Sequence, residues 1–310
     1  MGKLRTPEDL KKINCPNHIK TKAIRQSINS KDRHTKKKLK KKERLKRRKA
    51  GEAPGIPRTL ENTREKDETV LDTAETERVE EVEQDVATDE FQNYFEKSYE
   101  PKVLITFSDN PLKKTRVFGI ELSRIIPNSL VRYRNRASVK KMIESAKRRN
   151  FSDIVIVNEN MRQPNGLLLI HLPDGPTAHF RLSNVKITTE LKKNHKNITE
   201  HRPEVIVNNF STRLGLTIGR MLSSVFHYDP EFKGRRVVTF HNQRDYIFFR
   251  HHRYEFKDNA KPRLKELGPR FTLRLQSLQK GTFDSKCGEY EWIQTSRRHE
   301  IETSRRRFFL

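Results

Sequence analysis

The sequence predicts a mixed α/β domain of two similar halves, each strand–helix–strand–strand–strand, related by pseudo-twofold symmetry, with a disordered N-terminal tail. Three observations lead there. A Gly-Pro pair followed by alternating apolar and cationic residues occurs twice, in LPDGPTAHFRLSNV (172–185) and in LKELGPRFTLRLQSLQKG (264–281). Each copy follows the same succession of strand-like and helix-like segments, and two copies rather than many argue for a twofold module and against a solenoid. The hairpin-rich order favours a mixed or antiparallel sheet over a doubly wound parallel one.

The chain has 310 residues, a net charge of +26 and 33% hydrophobic residues. That apolar share is too low for one globule throughout, so an ordered region of about 180–200 residues with unfolded flanks is expected. Charge divides the chain. Residues 1–50 carry 20 Lys/Arg against 4 Asp/Glu, residues 51–100 carry 5 against 16, and the remainder 41 against 20. The expected organisation is a basic disordered tail (1–50), an acidic linker (51–100), a folded domain (101–284, halves about 101–200 and 201–284) and a C-terminal extension (285–310). A folded part that is itself strongly basic points to a polyanion, nucleic acid above all, because Lys and Arg contacts release condensed counterions. Within the tail, KKKLKKKERLKRRK (36–49) is a helix-prone block that suits a nuclear or nucleolar address, or an RNA-binding arm. The acidic EVEQDVATDE (81–90) reads as a solvated spacer. Two cysteines, Cys15 and Cys287, suit a reducing compartment. There is no apolar leader and no run of about 18 apolar residues, so neither a signal peptide nor a membrane span is expected.

Order is expected from Pro101. KVLITFS (102–108) is apolar, β-branched and bounded by turn residues, hence a strand. In SVKKMIESAKRRN (138–150), Val139, Met142, Ile143 and Ala146 form one helical stripe behind Ser138 as N-cap. DIVIV (153–157), a turn at Pro164-Asn165-Gly166, GLLLIHL (166–172) and the first Gly-Pro strand complete the half. The second half repeats it with EVIVNNF (204–210), a helix in STRLGLTIGRMLSSVF (211–226), a hairpin of RRVVTF (235–240) and YIFFRHHRYEF (246–256), and the second Gly-Pro strand. Aligning Gly175-Pro176 with Gly268-Pro269 places Phe180 on Leu273, Arg181 on Arg274 and Leu182 on Leu275. Strand alternation then buries Phe271, Leu273 and Leu275 and puts Arg270, Thr272, Arg274 and Gln276 on the outer face.

With these motifs in order, residues 101–310 resemble the Brix domain of eukaryotic ribosome assembly factors. The resemblance is carried by NGLLLIHLPDGPT, GPTAHFRL, RRVVTFHNQRDYIFFRHHRYEF, LKELGPRFTLRL, GEYEW and the closing RRRFFL. It implies two halves in one α/β domain akin to the anticodon-binding domains of some aminoacyl-tRNA synthetases. It also implies a nucleolar factor of the large (60S) subunit that binds precursor rRNA, with a dedicated protein partner among the pre-60S assembly factors. The segment Pro262 to Gln279 looks like that family's sigma-factor-like RNA-binding motif.

For RNA the useful groups are guanidinium forks, which bind phosphate and stack on bases, and exposed aromatic rings. Arg263, Lys265, Arg270 and Arg274, with Thr272 and Gln276, form the first candidate row; Arg235, Arg236, Arg250 and Arg253 crowd the neighbouring hairpin. Phe248, Arg250, His252, Tyr254 and Phe256 share a face that reads as core, with Arg250 set against an acid. His241, His251 and His252 do not make a metal site, because adjacent strand residues point opposite ways, and Cys15-Pro16-Asn17-His18 lacks a second zinc half-site. No phosphate loop or nucleophile elbow occurs, so neither enzyme activity, cofactor nor small-molecule substrate is expected. The apolar Phe308-Phe309-Leu310 suits insertion into a partner protein.

Overall fold

The computed structural model describes residues 21–51, 56–65, 69–71, 76–191, 198–256, 262–294 and 308–310. It divides into two units, Met1–Asn62 and Thr63–Leu310. In the first unit, Lys22–Lys49 forms one helix (α1) with no buried residue. Lys, Arg and Glu are strong helix formers, and Lys46, Arg47, Arg48 and Lys49 complement the dipole at the C-terminal end. Propensity rather than packing holds it, as expected of an arm without a core. Among the described residues no helix is long and apolar enough to cross a membrane.

The second unit begins earlier than the sequence predicts. Helices α2 (Thr76–Ala87) and α3 (Gln92–Phe95) precede the first strand, and Phe91 and Tyr94 are buried in the main core. The acidic segment is therefore no free spacer. Asp89 forms a two-pronged ion pair with Arg220 (2.5 and 2.9 Å), Glu81 reaches Arg213 at 2.9 Å, and the Tyr94 hydroxyl donates to the Ser223 carbonyl. Tyr94 and two acids complement one helix surface and Phe91 packs on the His171 ring, which linear composition does not reveal.

The first half comprises β1 (Val103–Phe107), α4 (Lys113–Ile125), β2 (Ser129–Val131), α5 (Val139–Arg148), β3 (Asp153–Asn160), β4 (Gln163–His171) and β5 (Thr177–Lys186). The second comprises β6 (Glu204–Asn208), α6 (Arg213–Ser224), β7 (Arg236–Gln243), β8 (Tyr246–Phe256), β9 (Pro262–Glu266) and β10 (Arg270–Gln279), followed by β11 (Tyr290–Ile293). All described strands join one sheet in the order β2-β1-β3-β4-β5-β10-β8-β7-β6, with β11 on β10 and β9 on β8. In each half the strand before the first helix pairs in parallel with the next long strand, β1 with β3 and β6 with β7; the short β2 is also parallel to β1, and the remaining pairs are antiparallel.

The repeat is real, but its helices match differently from the sequence reading. The counterpart of α6 is α4, not α5: VFGIELSRII (117–126) superposes in pattern on TIGRMLSSVF (217–226). Gly119 lies against Phe107 of β1 as Gly219 lies against Val207 of β6. Helix α5 with β2 is an addition to the first half. Helices α4 and α6 cover the same sheet face, burying Phe118, Leu122, Ile218 and Met221 against Ile105, Val155, Leu169, Phe180, Val238, Phe249 and Leu273. At the centre the Phe249 and Phe271 rings stack at 4.3 Å, and Phe118 meets Phe271 edge-on at 5.4 Å. On the opposite face α5 is laid down, with Phe283 packed beside it. It packs Ile143 and Ala146 on Ile154, Ile156 and Ile170, over the first half of the sheet.

Candidate nucleic-acid interface

The two Gly-Pro strands pair with each other. Strands β5 and β10 run antiparallel with Arg181 opposite Arg274, Leu182 opposite Leu273 and Phe180 opposite Leu275. Since Phe180 corresponds to Leu273 and Leu182 to Leu275, the pseudo-twofold axis passes between Arg181 and Arg274. Phe180, Leu182, Leu273 and Leu275 are buried towards α4 and α6, so both arginines project from the other face. Both strands start alike, with Gly175 and Gly268 at positive φ (104° and 82°) before cis prolines 176 and 269. No side chain fits at Gly175, where a Cβ would lie 2.3 Å from the backbone of Gly281.

Neighbouring β8 sorts its residues the same way. Ile247, Phe249 and His251 are buried below the sheet, so Tyr246, Phe248, Arg250, His252, Tyr254 and Phe256 stand on the opposite face, in the half that α5 does not cover. This corrects the reading of that set as core at Phe256, which is 63% exposed, while Phe248, His252 and Tyr254 are half-buried; Tyr246, at the other end of the strand, is 41% exposed. Arg274 lies over the Tyr246 ring at 5.3 Å and Arg250 near the Phe248 ring at 5.8 Å, cation–π contacts on this face. Arg270 pairs with Glu266 at 2.5 Å, and both flank Arg250 and His252. Burial draws the Arg250 pKa down, and the adjacent Arg270 adds to this; His179 and His252 are lowered by burial too. Both imidazoles are therefore neutral near pH 7, and the positive charge of this face is arginine charge.

The expected cationic row is divided by the sheet. Arg250, Arg270, Arg274 and Gln276 belong to the open face. Lys265 opposes Arg253 and Arg263 opposes Glu255, which places Arg253, Arg263 and Lys265 on the reverse face near the β8–β9 edge. Arg235 occupies a left-handed turn at the start of β7 (φ 47°). Two further residues are withdrawn into the interior. Thr272 is buried, its carbonyl facing the Ser183 hydroxyl at 3.5 Å. Arg236 is 2% exposed, donating to the carbonyls of Thr199, His201 (2.7 Å) and Arg124 (3.1 Å) and to His251 Nε2 (3.2 Å). Burial lowers its pKa to about 10, still charged at neutral pH. It is a structural arginine that ties α4 to the second half. His251 completes that post by donating from Nδ1 to the Gly268 carbonyl at 2.8 Å, so both its nitrogens are occupied and neither is available to a metal.

What remains is an open sheet face with arginines and aromatic rings interleaved over β5, β10 and β8. A family model, the Brix domain, matches residues 108–277, more than half the chain and all the strands of this face. The chain belongs to the Brix domain family. Relatives of this Brix domain protein include "Probable ribosome production factor 1" of Drosophila melanogaster, 60% identical over 299 residues, covering 96% of this chain and 76% of the relative. "Ribosome production factor 1" of Xenopus laevis is 57% identical over 255 residues, covering 82% and 73%. A crystal structure of a probable ribosomal biogenesis protein from Aeropyrum pernix K1 matches 56% of this chain and 96% of its own, at 16% identity and a TM-score of 0.42.

The Brix sheet adds residues to the site that the sequence reading left out of its candidate rows: Arg181, and Tyr246 beneath Arg274. The signal for Arg181 lay in the repeat, where it aligned with Arg274. Nothing in the sequence marked Tyr246, because its partner is reached only through the β8–β10 pairing. The closing apolar residues are also placed. Leu310 is buried, and the backbone N–H groups of Phe309 and Leu310 donate to Asp245 Oδ1 at 2.8 and 3.1 Å. The Phe309 carbonyl accepts from the Thr212 hydroxyl at 2.6 Å and the Leu310 carbonyl from Asn242 at 2.9 Å. These residues insert into their own second half rather than offering themselves to a partner. Cys15 and His18 lie outside the described residues.

Proposed function

We propose that this ribosome biogenesis factor is non-catalytic and binds precursor rRNA of the large (60S) subunit in the nucleolus, on the open face of its Brix sheet. It does so in company with pre-60S assembly factors, including a dedicated protein partner. The observation that carries the reading is the uncovered half of the sheet, where Arg181, Arg274 and Arg250 alternate with Tyr246, Phe248 and Phe256. Guanidinium forks take phosphate oxygens while exposed rings accept unstacked bases, the chemistry by which sheets hold single-stranded RNA. The names of the relatives support the ribosomal assignment. The strongly basic α1 suits a second, sequence-independent contact and a nucleolar address. A purely protein-binding role loses the support it drew from the apolar closing residues, since these are engaged within the chain.

Ultraviolet crosslinking in cells, with the RNA sequenced and the crosslinked peptides mapped, tests the reading. The expected result is one precursor site crosslinked to peptides of β5, β8 and β10, lost in an Arg250→Ala/Phe256→Ala variant. Crosslinks confined to residues 1–50 and untouched by that variant would assign RNA contact to the arm and the sheet to a protein.

A further inference from the structure

We propose that a hollow on the sheet face, where the cover of α5 gives out, is a pocket for one unstacked base of the bound RNA, with Arg181 at its mouth holding a neighbouring phosphate. The inference rests on the reading that the open face binds RNA, and it names the part of the ligand taken there. The hollow has a volume of about 290 Å³, close to the lower bound of about 300 Å³ for small-molecule sites. That scale suits a single base better than a helix or an extended peptide. Ile156, Leu168 and Phe283 give it apolar surface. His179 of β5, Ser277 directly opposite it on β10, and Tyr290 of β11 give it hydrogen-bonding groups. Among the described residues, the side chains of these three make no hydrogen bond. A neutral imidazole donates from one ring nitrogen and accepts at the other, and a hydroxyl does both. An apolar slot edged by unused donors and acceptors complements a flat ring that carries both on its rim. An aliphatic or phenyl side chain of a partner protein would instead leave these groups unpaired, which is unfavourable. The walls are set before any ligand arrives. Gln279, 2% exposed, grips the Asp284 backbone through both amide atoms (2.7 and 3.3 Å), Thr177 donates to the Gly281 carbonyl at 3.0 Å, and Asp284 pairs with Lys140 of α5 at 3.1 Å. The loop that carries Phe283 is thereby pinned to both the sheet and α5. Arg181 supplies the charge. It follows His179 by two residues on the same face of β5, about 7 Å along the strand. It faces Gly166, which has no side chain to stand in the way; it is exposed and, among the described residues, makes no hydrogen bond or ion pair.

The test is equilibrium binding of the full chain, over a salt series, to short single-stranded RNA homopolymers of each base and to the same backbone without bases. The proteins are wild type, His179→Ala/Tyr290→Ala, Ser277→Leu (which fills the hollow) and Arg181→Ala. Both pocket variants should lose about tenfold or more on at least one intact homopolymer. Their affinity for the base-free backbone should not change, and the slope of log affinity against log salt should hold. Arg181→Ala should weaken both ligands, with the slope falling by about 0.7. His179 and Tyr290 are exposed, so free His179→Ala/Tyr290→Ala is expected to unfold at the wild-type midpoint, which separates lost binding from lost folding. Pocket variants that bind every homopolymer as wild type does, beside a damaging Arg250→Ala/Phe256→Ala variant, overturn the pocket and leave the RNA face standing. Equal losses on intact and base-free RNA overturn it too, as does loss of a co-purifying protein with RNA affinity unchanged, which would give the hollow a protein occupant. If the Arg250→Ala/Phe256→Ala control is silent as well, both the pocket and the RNA face fall.

Discussion

Replacing His251 by Asn isolates a post beneath the candidate surface. The imidazole is fully buried, donates to the Gly268 carbonyl immediately before β10 and accepts from Arg236. Burial holds its pKa at about 3 against an ordinary 6.5, outweighing the Gly268 hydrogen bond, with Arg236 adding to the depression. The folded protein thus keeps His251 neutral while the unfolded chain protonates below about pH 6.5. Below that pH the unfolded state binds the extra proton, so stability is full above it and declines as pH falls towards 3. Each pH unit in that window costs about 1.4 kcal/mol, so about 2 kcal/mol is gone near pH 5. The assay is urea unfolding at about pH 7.5 and about pH 5 for wild type and His251→Asn. Asn keeps a donor for Gly268 and cannot titrate. The variant is less stable at the higher pH, because Arg236 loses an acceptor, but its decline between the two is smaller than that of wild type by about 2 kcal/mol. Equal declines in the two proteins would show that His251 titrates alike folded and unfolded, and would refute the reasoning.

Gly119→Ala sets a methyl 2.3 Å from the buried Phe107 ring, whereas Gly219→Ala meets Val207 at 3.1 Å. Thermal or urea unfolding should show the first destabilised by about 1–3 kcal/mol and the second within about 1 kcal/mol of wild type, helix propensity offsetting its milder contact. Phe256→Ala, at an exposed ring, should leave stability within about 0.5 kcal/mol of wild type. Its RNA affinity, measured by fluorescence anisotropy, should fall by about 1–3 kcal/mol. Asp245→Ala strips the acceptor from two backbone N–H groups and puts Ala at φ 62°. A loss of at least about 1–3 kcal/mol and faster amide exchange at residues 309 and 310 are expected, with Asp245→Asn milder because Asn tolerates the left-handed conformation.

Where one periodicity dominated a segment, the element was legible. KVLITFS, DIVIV, EVIVNNF, both Gly-Pro strands and the Ser138-capped helix read correctly because alternation or a helical stripe was uninterrupted. Helix α4 was not legible. Its apolar residues Val117, Phe118, Ile120, Leu122 and Ile125 surround Gly119, and Leu112 at its N-cap supplies no side-chain hydrogen bond, so neither a clean stripe nor a start signal marks it. The docking of Phe91 and Tyr94 was hidden for another reason: two aromatics in an acidic run are buried because distant elements, α6 for Tyr94 and His171 of β4 for Phe91, offer them complementary surfaces.

By itself the sequence determined the family, the duplication, the basic charge that calls for a polyanion, and which residues share a strand face. Alternation is a property of the local backbone, so it needs no knowledge of the rest of the molecule. Which face meets water is a different matter. Helices α4 and α6 lie on one side and α5 covers only the first half of the other, and that choice turned the β8 aromatics outward, split the arginine row and withdrew Arg236 into the interior. Tertiary structure alone brought Arg181 to Arg274, because contact between strands some ninety residues apart depends on how the two halves close against each other.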